Sequence, residues 1–472
     1  MAGWAERFRA YVERLGAVLG HADRREPLRA YTTGLLLPGE RKSVEPMAAR
    51  VAPLRIGAAH QSLHHFVAKA GWDDAALLAA VRGEVLPAIE ERGPIRAWIV
   101  DDTGLPKKGK LSGGVARQYC GQVGKQDNCQ VAVTLSVANA AASLPISYRL
   151  YLPEGWAADP ARRAMAGVPE EIAFQTKPEI ALEQIRQASA VGVPPGVVVT
   201  DAGYGNDTGF RDGVTAQGLA YVAGIQGSTT LWPPGTGPLP AKPWRGTGRP
   251  PKRLRRDTQH QPLAAGRLAV SLPTATWRTV TWREGTTGTL TSRFAAVRVR
   301  PAHRDTERAT PRPEEWLLAE WPEGEKEPTK YWLSTLAEAT GLEELVATAK
   351  LRWRIERDLE ELKQELGLGH FEGRGWRGFH HHASLCIAAY GFLIAERCRF
   401  SPPGWRPRFK LPKRPAGYHP RGSSCAPRAA QPSLHRHLAP PPRPGAPAKP
   451  AAMPLLPTSL PAEGKIPTLM TR

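Results

Sequence analysis

The sequence predicts an α/β fold: a mixed sheet with flanking helices, a helical N-terminal domain and a β-rich insertion. Three observations support this prediction. Apolar residues recur at three- and four-residue spacing through residues 1–92, as in amphipathic helices. Short apolar runs that end in aspartate follow, and such runs are typical of buried strands. Between residues 226 and 335 the helical spacing disappears and tryptophan becomes frequent.

The N-terminal region, residues 1–92, is predicted to form helices at residues 4–19, 27–37 and 75–89. Several arginine and lysine residues lie in the connections between these helices. The spacing of the apolar residues indicates that each helix buries one face against the rest of the protein.

Residues 93–225 are expected to form the first part of the sheet, because apolar strands and one amphipathic helix alternate there. The first three strands should pair as an antiparallel meander, since turn-forming glycine and proline residues separate them. The predicted strands lie at residues 97–100, 130–137, 146–152, 196–200 and 219–225, and the helix at residues 180–190.

The remaining chain is divided by composition into three parts. Residues 226–335 form the β-rich insertion, and residues 336–400 return to helix, predicted at 342–366 and 383–397. Residues 401–472 are rich in proline, alanine and arginine without any period, which predicts a disordered tail.

The net charge of the chain indicates a polyanionic partner. The 472 residues carry a formal charge of +20. Residues 401–472 hold twelve basic residues and one acid, so that the other 400 residues still carry +9. Nucleic acid is the simplest partner for a folded part that is basic by itself. The alternative is a soluble protein that is arginine-rich through genome composition alone.

The five cysteines form no Cys-x-x-Cys pair, and their odd number argues against a disulfide framework. No secretory signal is recognised, and no apolar run reaches the ~18 residues of a membrane span. The sequence therefore predicts a cytoplasmic protein without a membrane partner.

Two aspartates follow apolar runs and are candidate metal ligands. Asp101 follows residues 97–100, and Asp201 follows residues 196–200, so both are predicted at the polar ends of strands. Because side chains alternate along a strand, only one of Asp101 and Asp102 should point into the site; Asp101 is favoured, and Asp102 could be a supporting or turn residue. The small residues after Asp201 would leave space for a phosphate backbone. For either aspartate alone, a structural turn is the competing interpretation.

A charged segment supplies a third carboxylate. In a continuous helix, Arg352, Glu356 and Lys363 would share one face. A solvated, salt-bridged face is the commoner role of such residues, and three further acids compete as ligands: Glu360, Glu361 and Glu365. The order strand aspartate, strand aspartate and helix glutamate is what favours a magnesium-dependent phosphoryl-transfer site.

These motifs resemble those of the DDE transposases of bacterial insertion sequences, in the branch with a Y-x2-R-x3-E-x6-K signature. Arg352, Glu356 and Lys363 match its R, E and K, whereas Ala349 stands at the tyrosine position. Asp101-x-Thr103 matches the first aspartate motif of the branch, and Asp201 matches the second. Residues 102–109, 114–121 and 375–382 resemble a subfamily of these enzymes.

The resemblance implies an RNase H-like catalytic domain and a DNA-binding N-terminal region. It also implies two Mg²⁺ ions, for which Mn²⁺ could substitute, held by Asp101, Asp201 and Glu356. The activity implied is cleavage of insertion-sequence ends and transfer of the 3′-OH into target DNA. The partners would be double-stranded DNA, carrying terminal repeats and target, and a second copy of the chain on that DNA. The protein would lie in the bacterial cytoplasm with the nucleoid.

Several cations are candidate DNA contacts. Arg352 and Lys363 would hold backbone phosphates beside the site, and Lys107 and Lys108 follow the first aspartate. Arg249, between glycine and proline, resembles a short arm that reads the minor groove, with a basic linker as the alternative. A DNA endonuclease without strand transfer and a non-catalytic DNA-binding protein are the alternative functions.

The three consecutive histidines at residues 380–382 suggest metal binding at first sight. Adjacent residues on a helix point in different directions, so the three cannot bind one ion together. Structural or phosphate contacts are therefore the favoured prediction for this segment.

Overall fold

The computed structural model describes residues 3–284 and 288–400. The tail at residues 401–472, which the sequence predicts to be disordered, lies outside the described residues. Within them, no helix combines the length and the apolar character needed to cross a membrane.

The N-terminal region contains the three predicted helices and two more. The helices are α1 Trp4–Ala17, α2 Arg25–Leu36, α3 Val44–Val51, α4 Ile56–Ala68 and α5 Asp74–Glu90. The sequence analysis missed α3 and α4 because α3 is only eight residues long and carries Pro46. The exposed face of α4 includes histidines and small residues, which weaken the helical pattern.

The core begins with long strands joined by short turns. In chain order the elements are β1 Ala97–Pro106, β2 Ala116–Cys120, β3 Lys125–Ala138, β4 Ser143–Leu150, α6 Glu154–Ala157, α7 Pro160–Ala166, α8 Lys177–Ala190, β5 Val197–Thr200, α9 Ala202–Gly205, α10 Thr208–Ala216 and β6 Tyr221–Ile225. Strand β3 pairs antiparallel with β1 and with β4, as the predicted meander requires. Strands β1, β5 and β6 then run parallel. The predicted α/β fold with a mixed sheet and flanking helices is confirmed.

The β-rich segment continues the same sheet. Its elements are β7 Thr230–Trp232, β8 Leu263–Ala264, α11 Ala265–Ser271, β9 Arg278–Glu284, β10 Thr289–Pro301, β11 Glu315–Trp321 and β12 Lys330–Ser334. Strand β12 pairs antiparallel with β6, so that the order runs β2-β3-β1-β5-β6-β12-β11-β10-β7-β8. The insertion is therefore bound by backbone hydrogen bonds to the strand that follows Asp201 and α10.

The C-terminal elements are α12 Leu342–Ala349, α13 Trp353–Gln364 and α14 Trp376–Phe400. A 3₁₀ turn, Lys350–Arg352, separates α12 from α13, so the predicted continuous helix over residues 342–366 is wrong at this point. Helix α14 is longer than predicted and nearly fully buried. It packs against α2, α4, α5 and β4, and the N-terminal helices therefore share one hydrophobic core with the sheet.

The histidines at residues 380–382 lie inside this core and serve packing. His382 accepts a hydrogen bond from the Tyr31 hydroxyl at 2.8 Å, and its other ring nitrogen contacts a backbone carbonyl. His381 stacks on Trp72 with 3.6 Å between ring centroids. All three side chains are buried, which excludes the phosphate contact that the sequence analysis allowed.

Candidate active site

Asp101 lies on a strand that continues past it. The parallel pairing of β1 with β5 ends at Ile99 and Val199, whereas β1 stays paired with β3 as far as Pro106. The sequence analysis placed the end of the strand at Asp101, because the apolar run stops there. Pairing with the long strand β3 keeps Asp101 and the residues after it, as far as Pro106, in an extended conformation. Asp101 is thus held rigidly beside the carboxyl end of β5, where Asp201 follows.

The Asp101 carboxylate is in an unusual electrostatic environment. Its side chain is 15% exposed, and its Oδ2 accepts a hydrogen bond from Arg352 Nη1 at 2.6 Å. Burial raises the pKa of Asp101 to about 7, the guanidinium opposes this, and the nearby Asp201 and Asp102 add to it. The raised pKa of Asp101 therefore comes first from burial, which the Arg352 guanidinium offsets only in part.

Asp201 is fixed by the local backbone. It is the N-cap of α9, and its Oδ1 accepts a hydrogen bond from the Gly203 N–H at 2.9 Å. The buried run of β5 leads directly into it. A strand end followed by a helix cap orients this carboxylate without any help from distant residues.

One of the small residues after Asp201, Gly205, serves close packing of α9 on β6. A Cβ atom at Gly205 would come within 2.0 Å of the Gly224 carbonyl oxygen on β6. A Cβ at Gly224 would in turn meet the Asp201 backbone at 2.9 Å. Gly205 and Gly224 therefore let α9 lie directly on β6, whereas Gly203 lines the cleft beside Asp201, and the prediction of space for a phosphate backbone stays a prediction.

Arg352 joins the first and the third carboxylate. Its Nη1 contacts Asp101, and its Nη2 contacts Glu356 Oε1 one turn further along. Arg352 belongs to the 3₁₀ turn and Glu356 to the first turn of α13. The pairing of Arg352 with Glu356 follows from their i, i+4 spacing. The contact with Asp101, 251 residues away in sequence, is a product of the fold.

The competing glutamates of α13 point elsewhere. Glu361 pairs with Arg357 at 2.8 Å and with Arg397 at 2.9 Å. Glu360 lies 3.7 Å from Arg357, which is on the same helix. Glu356, 53% exposed, is the acid of this helix that shares a guanidinium with Asp101. The geometry therefore favours Glu356 as the third member of the set.

Lys363 lies within electrostatic reach of the same carboxylates. Burial lowers its pKa, while Cys120, Asp101 and Asp102 act in the opposite direction. The lysine is therefore near the site despite being two turns beyond Glu356. Its half-buried position is consistent with the role of a fixed cation beside the carboxylates.

A cleft of about 210 Å³ lies between Asp102 and Asp201. Lys177, at the N-terminus of α8, lines the cleft and pairs with Asp102 Oδ2 at 2.7 Å. The sequence analysis missed Lys177. The capping box at Thr176 could have predicted where α8 begins, but nothing local indicated that this helix end faces the aspartates.

Tyr204 is a second residue whose position the sequence did not indicate. Its ring is 2% exposed, and its hydroxyl has no hydrogen-bond partner in the described part of the chain. Burial raises the pKa of Tyr204, and the charges of Asp102, Asp101 and Asp201 raise it further. A buried hydroxyl without a partner beside three aspartates is a donor available to a ligand of the site.

A divalent cation fits the donors of this site, though not as a closed cage. The carboxylate oxygens of Asp101 and Asp201 are ligands of the kind that hard divalent cations prefer. However, no group of three acidic, histidine or cysteine residues within 3–284 and 288–400 is close enough to hold a metal ion. Arg352 lies between Asp101 and Glu356, so this guanidinium must leave before both carboxylates can share one ion.

The predicted DNA contacts have different environments. The Lys107 ammonium donates to the Phe371 carbonyl at 2.7 Å, and burial lowers its pKa to about 8, so this lysine is partly engaged within the fold. Lys108 and Arg249 are exposed. Exposed cations are the ones that can meet a phosphate backbone without a desolvation cost.

Asp101 lies on β1 beside the end of β5, where Asp201 follows, and Arg352 links Asp101 to Glu356. The family is established by comparison. A family model described as DDE superfamily endonuclease matches residues 14–289, which is more than half of the chain. The chain belongs to this family, which confirms the resemblance. The matched region contains Asp101 and Asp201 and ends before Glu356.

Two individual proteins are also similar to this chain. The chain is 32% identical over 167 residues to the "Probable transposase for insertion sequence element IS701" of Microchaete diplosiphon. This match spans 35% of the chain and 40% of that relative. The cryo-EM structure of a piggyBac transposase synaptic complex with hairpin DNA aligns with a TM-score of 0.38 and 10% identity, over 84% of this chain and 68% of that one. This structural likeness is too low to support a functional argument.

Proposed function

We propose that the protein is a transposase that cleaves the ends of an insertion sequence and joins the freed 3′-OH to target DNA. The observation that carries the proposal is the single guanidinium of Arg352, which joins Asp101 to Glu356 beside Asp201. The three carboxylates come from three elements: Asp101 from β1, Glu356 from α13 and Asp201 from the end of β5. Membership of the DDE superfamily endonucleases and the relative named as a transposase support it.

The carboxylates of Asp101, Asp201 and Glu356 would hold the divalent cations, Mg²⁺ or Mn²⁺, with two ions expected. When bound, such ions activate a water molecule and stabilise a leaving 3′ oxygen. The chain itself supplies rigid placement, because Asp101 is fixed in a strand ladder and Asp201 by a helix cap. No serine or tyrosine nucleophile is needed, since the 3′-OH freed in the first step attacks the target.

Arg352 and Lys363 would act on the DNA backbone. A phosphate that enters between Asp101 and Glu356 would compete for the Arg352 guanidinium, which binds phosphate well in a bidentate geometry. Arg352 would then neutralise the DNA instead of the carboxylates. Lys363 and the exposed Lys108 would hold adjacent phosphates, and Lys107 would need to give up its carbonyl contact to do so.

Double-stranded DNA is the proposed partner, and two copies of the chain would hold the two ends of one element. The described part of the chain is basic, and the β-rich segment at residues 226–335 has 18 basic and 10 acidic residues, a net charge of +8. That value is almost all of the +9 carried by residues 1–400. DNA in the bacterial cytoplasm is the polyanion that this charge would meet.

The test is cleavage of a duplex that carries the inverted repeats flanking the gene. The full-length protein should cut it with Mg²⁺ and not with EDTA. Asp101→Ala, Asp201→Ala and Glu356→Ala should each abolish cutting while repeat binding persists. Glu360→Ala, an exposed acid on the same helix, is the matched control and should cut normally. Normal cutting by Glu356→Ala would disprove its assignment as the third ligand.

A second assay separates transposition from simple cleavage. A duplex with a pre-cut 3′-OH end is incubated with supercoiled target DNA, and joined products are measured. Joined products are expected with the wild-type protein and absent with Asp201→Ala. Cleavage without joining would show an endonuclease that lacks strand transfer, and binding without either reaction would show a non-catalytic DNA-binding protein.

A further inference from the structure

The connection between β7 and β8 contains a basic loop, defined here as residues 242–253. We propose that this loop binds in the minor groove of A·T-rich duplex DNA, with Arg249 inserted into the groove. The inference rests on the proposed function only in taking double-stranded DNA as the partner. It adds a DNA sequence class and a groove that the catalytic residues do not specify.

The loop is fixed at its base and free at its tip. At its base, Leu239 and Arg255 form an isolated antiparallel bridge with both backbone hydrogen bonds at 2.9 Å. Leu254 is buried, and Arg256 pairs with the buried Asp305 at 2.7 Å. All of residues 242–253 are exposed. A rigid base that holds an exposed tip reduces the loss of conformational entropy when the tip binds.

Within the described residues, no acidic side chain pairs with the cations of the loop. Its five cations have neither an ion pair nor a hydrogen bond within residues 3–284 and 288–400: Lys242, Arg245, Arg249, Lys252 and Arg253. No acidic residue occurs between Asp212 and Asp257. By contrast, Arg256 at the base of the loop is neutralised by Asp305. Unpaired cations at a solvent-exposed tip are available for a polyanion.

The shape of the tip suits a narrow groove. Gly246 and Gly248 have φ of +86° and +73°, values that favour glycine and turn the chain sharply. The Trp244 Nε1 donates to the Gly248 carbonyl at 3.1 Å and holds this turn. Arg249 follows, between a residue without a side chain and a proline. The backbone beside Arg249 is therefore slender enough to enter a minor groove about 6 Å wide.

A·T-rich DNA is the sequence class that this arrangement would select. The minor groove of such DNA is narrow and strongly negative, and it attracts an inserted arginine. At a G·C pair the guanine amino group projects into the groove and obstructs the guanidinium. Lys252 and Arg253, which follow the paired prolines, would contact the flanking phosphates. Phosphate contacts alone would give affinity without any base preference.

The experiment measures binding of the full-length protein to duplexes that differ only in a central block of A·T, G·C or I·C pairs. An I·C pair has the minor groove of A·T and the major groove of G·C. The A·T and I·C duplexes should bind equally, about tenfold more tightly than G·C. Arg249→Ala should remove this preference. Arg267→Ala, an exposed arginine on α11, is the control for the loss of one charge and should keep it.

Two results would overturn the inference. One is an I·C duplex that binds like G·C, which would place recognition in the major groove. The other is Arg249→Ala weakening all three duplexes equally, which would show phosphate contact alone. Either result would leave cleavage and the proposed function intact. Conversely, Asp201→Ala should not cut DNA and should still prefer A·T, so failure of the loop and failure of catalysis are separable.

Discussion

The helical N-terminal region and the β-rich insertion were both candidates for binding DNA, but they differ in charge. Residues 1–92 contain 13 basic and 11 acidic residues, a net charge of +2. Residues 226–335 contain 18 and 10, a net charge of +8. The insertion therefore carries most of the net positive charge of the described chain, and it is the favoured candidate for the DNA-binding surface. The DNA-binding role of the N-terminal helices, which the family resemblance implies, remains a prediction.

The two regions also attach to the rest of the protein through different elements. The N-terminal helices pack on α14 through apolar side chains and neutral buried histidines. The insertion is joined by the β6–β12 ladder, by apolar packing of its strands against α12, and by ion pairs that include the buried pair of Lys350 with Glu320. Lys350 lies two residues before Arg352, so the insertion contacts the turn that holds Arg352. The comparison indicates that both regions share apolar cores with the rest of the protein, and that the insertion is also linked by an ion pair to the turn beside the candidate site.

The largest expected effect comes from breaking that ion pair. The Lys350 ammonium bonds both Glu320 oxygens at 2.7 Å and lies 4.2 Å from the centre of the Trp282 ring. Lys350→Met should lower the free energy of unfolding by about 3–5 kcal/mol, because it leaves a buried carboxylate unpaired. Urea denaturation measures this change. Cleavage should also fall more than repeat binding, since the turn that holds Arg352 loses its anchor.

Two control variants separate the loss of the ion pair from the loss of a lysine side chain. Lys326→Met, at an exposed position in the connection between β11 and β12, should change stability by less than about 0.5 kcal/mol. The double variant Lys350→Met with Glu320→Leu should recover most of the lost stability, because neither charge is then left buried alone. A single Lys350→Met variant as stable as wild type would show that the insertion does not depend on this pair.

Much of the candidate site was predictable because its members carry local signals. Asp201 follows a four-residue buried strand, and the i, i+4 spacing predicts that Arg352 and Glu356 meet. The α/β class followed from the alternation of strands and helices. These signals extend over a few residues, which is the range in which sequence patterns report local structure.

The rest depends on contacts between distant residues. Nothing near Lys177 indicated Asp102, and nothing in the helical pattern indicated the 3₁₀ turn at Lys350–Arg352. That turn lies where Lys350 reaches across to Glu320 in the insertion, so a tertiary contact coincides with the break. The joining of β6 to β12 is likewise a long-range pairing. Such contacts are set by the packing of the whole chain.

A change in stability of similar size, but confined to acidic pH, is expected from the N-terminal scaffold. Burial lowers the pKa of His381 and His382 to about 4, so both are neutral when folded. The unfolded chain takes up protons below about pH 6.5. Stability should therefore fall as the pH drops from about 6.5 to 4, by about 2 kcal/mol per histidine at pH 5. His382→Asn should flatten this dependence, and His65→Asn, at an exposed position, should not.

The smallest expected change is in the salt dependence of DNA binding. It directly tests the difference in net charge between the insertion and the N-terminal region. Lys252→Ala in the basic loop should lower the slope of log K against log salt by about 0.9, as expected for one lost phosphate contact. Arg9→Ala, an exposed cation on α1, should leave the slope unchanged, because the nearly neutral N-terminal region lies away from the DNA in this scheme. Binding titrations between 50 and 200 mM salt, a range that resolves such slopes, measure both. Equal changes in the two variants would mean that the N-terminal helices also contact DNA, and the insertion would lose its distinct role.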